Sequence, residues 1–286
     1  MESKFLTLAS GIRLHYMEQG QGELVLLLHG YPDFWYSWRN QIPELSHHFR
    51  VVALDMRGYN LSDKPGNLND YSIANLSLDI AQFITALGEE KAMVVGHDWG
   101  GAVSWAFASQ YPDRIKKLAI LNMPHPLEMR RAFMEFNWRQ IKRSWYIFFF
   151  QLPGLPERFM QKKGFFHKTF KSLLANRQAF KKEEMPEYEK AFSDIRAIKG
   201  SLAYYRSAFK ELLSFKKQEW AKIQCPVLVL WGEQDKALGK ELSLRTADYC
   251  SQKPEILYDP GSGHFIQMDN PEWVNEKLLG FLMGGK

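Results

Sequence analysis

The chain has 286 residues, of which 45% are hydrophobic and 24% are charged, and its formal net charge at pH 7 is +5. These values are ordinary for a globular protein and predict one large domain or a domain with an insertion. No apolar run approaches the roughly 20 residues that cross a bilayer, and the first residues do not resemble a secretion signal. Cys225 and Cys250 lack metal-ligand spacing, so we expect free thiols, a cytoplasmic location and no transmembrane segment.

Short apolar runs predict the buried strands of a sheet. Six such runs occur, at residues 24–28, 51–54, 93–95, 118–121, 227–230 and 256–258. Continuous apolar strands of this length are typical of parallel sheets that are covered on both faces. Helical periodicity occurs at residues 73–87, 100–110 and 271–282, and residues 5–17 alternate around Gly11, which predicts a leading hairpin at the sheet edge. The alternation of strands and helices predicts an α/β fold with a mostly parallel, doubly wound sheet.

The alternation stops in one long segment. Residues 127–217 are aromatic and basic, show helical patterns, and are interrupted by Pro153, Gly154, Pro156 and Gly164. Because both flanks are strand-like, we predict a helical cap at 127–217, inserted into a core made of residues 1–126 and 218–286. The expected place of the cap is over the carboxyl ends of the strands, where open α/β sheets bind their ligands.

Positive charge is concentrated in this predicted cap. From Glu128 to Lys217 there are 20 Lys and Arg against 9 Asp and Glu, whereas the rest of the chain has 17 against 23. A basic block can bind nucleic acid or an acidic membrane surface. The basic residues are spread over helical segments and no nucleic-acid motif is present, so the sequence favours a solvated helix face without a nucleic-acid partner.

The most informative motif follows the predicted strand at 93–95 and is Gly96-His97-Asp98-Trp99-Gly100-Gly101. It predicts a strand, a tight turn and a helix start, with Asp98 at the apex of a nucleophile elbow. A carboxylate with a pKa near ~4 is ionised at neutral pH, and it attacks sp3 carbon well. We therefore expect a substrate with an electrophilic carbon, such as a strained ring or a halide, and an alkyl ester on Asp98. The alternative is an ordinary turn in which Asp98 caps the following helix.

Hydrolysis of such an ester needs a base that activates water and an acid that orients the base. Asp235 follows the predicted strand at 227–230 and His264 follows the one at 256–258, in the chain order nucleophile, acid, histidine. The alternative for His264 is a loop histidine without a task. The backbone N–H groups of Trp99 and Tyr31 are candidates for an oxyanion hole, and a cis bond at Pro32 is expected to fix that loop. This chemistry needs water, and we expect no metal and no cofactor.

Four motifs together resemble those of the α/β-hydrolase-fold epoxide hydrolases. They are His29-Gly30-Tyr31-Pro32, Trp35-Tyr36-Ser37-Trp38-Arg39, the run from Asp55 to Pro65, and the elbow around Asp98. The resemblance covers almost the whole chain and implies the α/β-hydrolase fold. It also implies that small hydrophobic epoxides and water are the substrates and that vicinal diols are the products.

The same resemblance implies two tyrosines in the cap that hydrogen-bond the epoxide oxygen and protonate it. The local pattern places them at Tyr146 and Tyr205, with Tyr204 as the adjacent competitor. The alternative for a cap tyrosine is a place in the core or at its rim. We also expect Trp99, Tyr31 and Phe265 to contact the substrate.

Two other functions remain open. Haloalkane dehalogenases share the elbow, but they usually carry asparagine where this chain has Tyr31, and the arginine that follows the nucleophile of fluoroacetate dehalogenases is here Trp99. A ligand binder without turnover is the third interpretation, and the complete set of Asp98, Asp235 and His264 argues against it. His97 and His125 are expected to be structural. The clusters at 148–150 and 165–166 are expected to line an apolar tunnel or to form the core of the cap.

Overall fold

The computed structural model describes residues 1–214 and 220–284. In this part of the chain, eight strands form one sheet in the order β1-β2-β4-β3-β5-β6-β7-β8. Only the pairs β1/β2 and β2/β4 are antiparallel, which confirms the predicted mostly parallel sheet. The strands are β1 Glu2–Thr7, β2 Arg13–Gln19, β3 Leu24–Leu28, β4 Arg50–Leu54, β5 Ala92–His97, β6 Ile115–Leu121, β7 Val227–Gly232 and β8 Glu255–Asp259.

The leading hairpin is confirmed at one edge of the sheet. Strands β1 and β2 pair from Glu2 opposite Glu18 to Thr7 opposite Arg13. The chain turns at Gly11, whose φ of +85° is in the left-handed region that favours glycine. Strand β2 then pairs with β4, so the hairpin extends the sheet next to the parallel strands.

Helices cover both faces of the sheet, which explains why the strands are apolar without interruption. In β3, Leu24, Leu26 and Leu28 face one hydrophobic cluster, and Val25 and Leu27 face a second one. The helices of the core are α1 Gln41–Leu45, α2 Ile73–Ala86, α3 Trp99–Gln110, α11 Ile266–Asp269 and α12 Pro271–Met283. Helices α2 and α3 pack on the first cluster, and α1 and α12 pack on the second. Every side chain of β3 is therefore buried, as expected for a doubly wound sheet.

The segment between β6 and β7 forms helices and contains no strand in its described residues. These helices are α4 Pro126–Met134, α5 Trp138–Arg143, α6 Trp145–Phe149, α7 Leu155–Met160, α8 Phe165–Leu173, α9 Met185–Ala191 and α10 Ile195–Leu213. The predicted breaks at Gly154 and Gly164 directly precede α7 and α8, and both glycines have positive φ. The helical character of the insertion follows the prediction. Its predicted end at Lys217 and the return of the core at Gln218 lie outside the described residues.

Candidate active site

Asp98 lies at a strained turn between β5 and α3. Its φ of 48° and ψ of −121° are unusual for a residue with a side chain. Its carboxylate makes no capping hydrogen bond to α3, so the helix-cap interpretation of this residue is not observed. The turn depends on its glycines, because a Cβ at Gly100 would overlap the carbonyl oxygen of Leu28, and a Cβ at Gly96 would overlap Ser104. The absence of side chains at Gly96 and Gly100 thus allows the tight turn that places Asp98 at the end of β5.

The two carboxylate oxygens of Asp98 have different partners. The backbone N–H of Tyr31 donates to Oδ1 at 2.8 Å, and Oδ2 lies 3.5 Å from Nε2 of His264. Burial raises the pKa of Asp98, but the neighbouring imidazole of His264 outweighs this and holds the pKa below its usual value. The Tyr31–Pro32 peptide is cis, as predicted. The carboxylate is thus ionised, with Oδ2 as the oxygen that no backbone N–H holds.

His264 and Asp235 form a buried pair next to this carboxylate. Nδ1 of His264 lies 2.8 Å from Oδ2 of Asp235, and both side chains are nearly inaccessible to solvent. Oδ1 of Asp235 accepts the backbone N–H groups of Ala237 at 2.7 Å and Leu238 at 2.9 Å. Burial alone would lower the pKa of His264, but the charges and hydrogen bonds of Asp235 and Asp98 raise it to about 10. The imidazole between these two carboxylates is therefore a cation at neutral pH.

Asn122 is a member of the site that the sequence analysis missed. Its Nδ2 donates to Oδ2 of Asp235 at 2.8 Å, and its Oδ1 accepts the backbone N–H of Gly232 at 3.0 Å. The side-chain amide of Asn122 thus links the end of β6 to the loop after β7 that carries Asp235. Its position in the sequence could have predicted this, because Asn122 directly follows an apolar strand, at the sheet edge where the other site residues lie.

His97 packs inside the protein, as expected, but it packs against His264. Its Nε2 lies 2.8 Å from the carbonyl oxygen of His264, and the two ring centroids are 4.9 Å apart. Burial lowers the pKa of His97 to about 4, so the ring is neutral. Since a carbonyl accepts but cannot donate, Nε2 carries the proton and donates it. His97 therefore supports the loop that carries His264.

Tyr146 on α6 and Tyr205 on α10 line the same cavity as Asp98 and Trp99, and its volume is about 470 Å³. The two phenol rings are 5.9 Å apart, and Tyr205 lies 5.0 Å from Trp99 between ring centroids. Burial and the charge of Asp98 raise the pKa of both phenols well above the usual value, which keeps them protonated. The structure thus brings the two predicted phenols to the predicted carboxylate.

The neighbouring Tyr204 has a different environment. Its hydroxyl donates to the backbone carbonyl of Arg57 at 2.7 Å, and Tyr204 is absent from the described residues that line the cavity. Its ring packs against Tyr59 and Tyr71 of the core. Of the two neighbours, Tyr205 is thus the one on the side of α10 that faces the cavity.

The remaining aromatic candidates are not on the cavity wall. Phe265 is fully buried, its ring packs against His264, His97 and Phe170, and it is absent from the described residues that line the cavity; its contact with substrate stays a prediction. His125 accepts the backbone N–H of Leu127 and stacks on Tyr249, which is a structural role. In the clusters at 148–150 and 165–166, Phe148 is 44% exposed, the other four phenylalanines pack in the first hydrophobic cluster, and none of the five lines the cavity. Phe265 instead packs against the ring of His264 inside the protein.

Other expectations concern metals, thiols and membranes. The described residues contain no group of His, Cys, Asp and Glu side chains arranged to hold a metal ion. Cys225 and Cys250 are both free and buried. No helix in the described ranges combines the length and the apolar character that crossing a bilayer requires.

Known proteins resemble this chain along most of its length. A family model for the alpha/beta hydrolase fold matches residues 23–271. Epoxide hydrolase 1 of Caenorhabditis elegans is 37% identical over 289 residues, which cover 98% of this chain and 70% of that protein. Epoxide hydrolase 4 of Mus musculus is 36% identical over 286 residues, which cover 96% of this chain and 77% of that protein.

A solved structure leads to the same family. The Bacillus megaterium epoxide hydrolase in complex with an inhibitor superimposes with a TM-score of 0.88 at 32% identity, covering 98% of this chain and 100% of that one. The chain belongs to the α/β-hydrolase family. Within that family it is an epoxide hydrolase.

Proposed function

We propose that the enzyme opens hydrophobic epoxides to vicinal diols through an alkyl ester on Asp98. The observation that carries this proposal is the single cavity that holds Asp98 together with the phenols of Tyr146 and Tyr205. Near Asp98 the wall of the cavity is apolar, with Ala102, Met123 and Leu238, which suits a hydrophobic substrate.

In the first step, Oδ2 of Asp98 attacks one ring carbon of the epoxide. The ring C–O bond breaks, its electron pair moves to the ring oxygen, and Tyr146 or Tyr205 gives that oxygen a proton. Oδ1 becomes the carbonyl oxygen of the new ester and keeps the hydrogen bond from the N–H of Tyr31. The phenolate that remains recovers a proton from the imidazolium of His264, carried by water.

Formation of the ester also converts His264 into a base. Two of the interactions that raise its pKa to about 10 come from the charge of Asp98, and this charge disappears in the ester. A neutral imidazole, oriented by Asp235, then takes a proton from water while the hydroxide attacks the ester carbonyl. The oxyanion forms at Oδ1, where Tyr31 N–H already donates and where the first N–H of α3, that of Trp99, has no partner within the helix. On collapse the bond between the carbonyl carbon and Oδ2 breaks, the leaving Oδ2 takes the proton of the added hydroxyl, and the diol departs, which leaves the carboxylate beside the imidazolium.

The test is removal of the two hydroxyls. Tyr146→Phe combined with Tyr205→Phe should lower epoxide turnover by about 10²–10⁴-fold, the usual range for acid catalysis. Each single change should cost less, because the other phenol still donates. Tyr204→Phe is the matched control, since its hydroxyl bonds a backbone carbonyl outside the cavity. Near-full epoxide turnover in the double variant would rule out this assignment, and faster halide release than epoxide opening by the wild type would favour a dehalogenase.

The division of the chain and its location belong to the same proposal. The helical segment between β6 and β7 supports a cap at 127–217 over a core of residues 1–126 and 218–286. Free, buried thiols at Cys225 and Cys250 support a cytoplasmic location, because reducing compartments keep cysteines unpaired. Limited proteolysis that releases the cap segment while the core stays folded would test the division.

A further inference from the structure

Exposed hydrophobic side chains are concentrated in one part of the cap. Of the fourteen large hydrophobic residues that are exposed in the described chain, eight lie between Met134 and Phe159. Trp138 is 72% exposed and Trp145 is 63% exposed. Single exposed apolar residues are ordinary, but a concentration that includes two tryptophans indicates a surface that is covered by a partner.

The same stretch carries positive charge almost without acidic residues. Between Phe136 and Lys163, the exposed basic residues are Arg139, Lys142, Arg158, Lys162 and Lys163. From Met134 to Lys163 there are two acidic residues: Glu135, which is exposed and forms an ion pair with Arg131 at 3.5 Å, and Glu157, which is buried and forms an ion pair with Arg206 at 2.8 Å. Lys162 lies over the ring of Phe159 at 5.4 Å, so a cation and an aromatic ring are in contact there. We call these basic residues, with exposed Phe136, Trp138, Trp145, Leu155 and Phe159, the basic aromatic surface.

This surface adjoins the wall of the active-site cavity. The ring of Phe148, on the same short helix as Trp145, packs against Phe133 at 6.1 Å and against Phe209 at 5.9 Å between centroids. Phe133 and Phe209 both line the cavity that ends at Asp98. Near Trp145, the ring of Phe148 thus separates the basic aromatic surface from the residues that line the cavity of Asp98.

We propose that the basic aromatic surface docks the enzyme on an anionic phospholipid bilayer, with the cavity facing the lipid. Tryptophan and phenylalanine rings insert at the level of the headgroups, and lysine and arginine side chains pair with anionic lipids around them. A second copy of the chain is a poorer occupant, because a two-fold contact would place these like charges opposite one another. The proposal gives hydrophobic epoxides dissolved in lipid a short route to Asp98.

Vesicle sedimentation tests the docking directly. The wild type should pellet with phosphatidylcholine vesicles that contain phosphatidylserine, and less with phosphatidylcholine alone or at high salt. Lys162→Glu with Lys163→Glu should weaken this binding by about 20-fold or more, since each basic residue at the surface of an anionic membrane adds to the affinity. Trp138→Ser with Trp145→Ser should weaken it as well, through loss of inserted aromatic area.

Matched controls separate docking from charge, folding and catalysis. Lys91→Glu with Lys253→Glu makes the same charge change at exposed lysines of the core, and Leu244→Ser removes an exposed apolar residue there, so both should bind vesicles like the wild type. Asp98→Asn should also bind normally, because docking requires no turnover. Absence of wild-type binding, or equal weakening in the core variants, would overturn the proposal. So would a concentration-dependent dimer that the surface variants dissociate while vesicle binding is unchanged.

Discussion

At the scale of single residues, the charges of Asp235 and Asp98 together raise the pKa of His264. The pKa of His264 is about 10 because Asp235 and Asp98 outweigh the effect of burial. Asp98→Asn removes one of the two negative charges and should therefore lower the pKa of His264, in the direction in which ester formation lowers it. An NMR titration of the His264 imidazole in both proteins measures the change. An unaltered pKa would contradict the assignment of His264 as a base that appears only after the first step.

His264→Gln should separate the two half-reactions. Ring opening uses Oδ2 of Asp98 and the phenols, so the ester should still form, whereas its hydrolysis loses the base. Mass spectrometry of the intact protein should then show an adduct of substrate mass on the His264→Gln variant and none on Asp98→Asn. If His264→Gln loses activity without an adduct, His264 has a role in alkylation instead.

The residues of the site differ in how far sequence could predict them. Asp98, Asp235 and His264 each follow an apolar strand, and parallel strands align their carboxyl ends, so their proximity follows from pattern alone. Tyr146 and Tyr205 were placed by resemblance, because helical periodicity cannot tell which side of α10 faces a cavity. The contact of Phe265 with substrate stays a prediction; its ring is fully buried, and burial of one residue beside a loop histidine cannot be read from a local pattern.

At the scale of secondary-structure elements, the elbow and the last helix offer a matched pair of glycines. Gly100→Ala would place a Cβ inside contact distance of the backbone oxygens of Leu28 and His29, so β3 or α3 must move. We expect a loss of about 3 kcal/mol or more in the free energy of unfolding, as for severe overpacking. Gly280→Ala in α12 meets nothing within 4 Å and should instead gain roughly 1 kcal/mol from helix propensity. Thermal denaturation of both variants measures the contrast, and equal shifts would contradict the steric argument.

Bounds of elements were predicted well where burial alone decides them. Strand β3 was predicted residue for residue, because an uninterrupted apolar run has one interpretation in a covered sheet. Strand β6 begins at Ile115, three residues before the predicted start, because Lys116 and Lys117 interrupt the pattern. The amine of Lys117 donates hydrogen bonds to the backbone carbonyls of Phe281 and Leu282, at 3.0 and 2.9 Å. The short helices of the cap could not be bounded, since aromatic residues occupy both their buried and their exposed faces.

At the scale of the whole molecule, the helical segment between β6 and β7, the proposed cap, is hydrogen-bonded to the loop that carries His264. Asp269 of the core accepts backbone N–H groups from Ala175 and Asn176 of the cap and from Gly263, at 3.1, 2.8 and 2.7 Å. The backbone N–H of His264 also donates to the carbonyl of Leu173 at 3.2 Å. The position of the His264 imidazole therefore depends on the helical segment between β6 and β7, a relation between distant segments that no local sequence pattern reveals.

Asp269→Ala should weaken this connection without touching the cavity. Loss of hydrogen bonds to a carboxylate should cost about 1.5–3 kcal/mol in the free energy of unfolding. Hydrogen exchange at the amides of Ala175, Asn176 and Gly263 should accelerate, because all three lose their acceptor. Asp269→Asn keeps one carbonyl oxygen and should show a smaller effect. Exchange that stays slow at these amides would mean that the cap and the loop are held by other contacts.

Because the two oxygens of Asp98 have different partners, oxygen taken from water in one catalytic cycle can be traced into the product of the next cycle. In heavy-oxygen water, the first diol should contain no label, because its new oxygen is the old Oδ2, while the solvent oxygen remains on Asp98. Tyr31 N–H holds Oδ1 throughout, so the newly acquired oxygen occupies the attacking position. If the carboxylate does not flip between cycles, the second diol carries full label. If it flips freely, about half of the second diols do. The fraction of label in the second diol therefore measures how strongly the Tyr31 N–H prevents the Asp98 carboxylate from rotating between cycles.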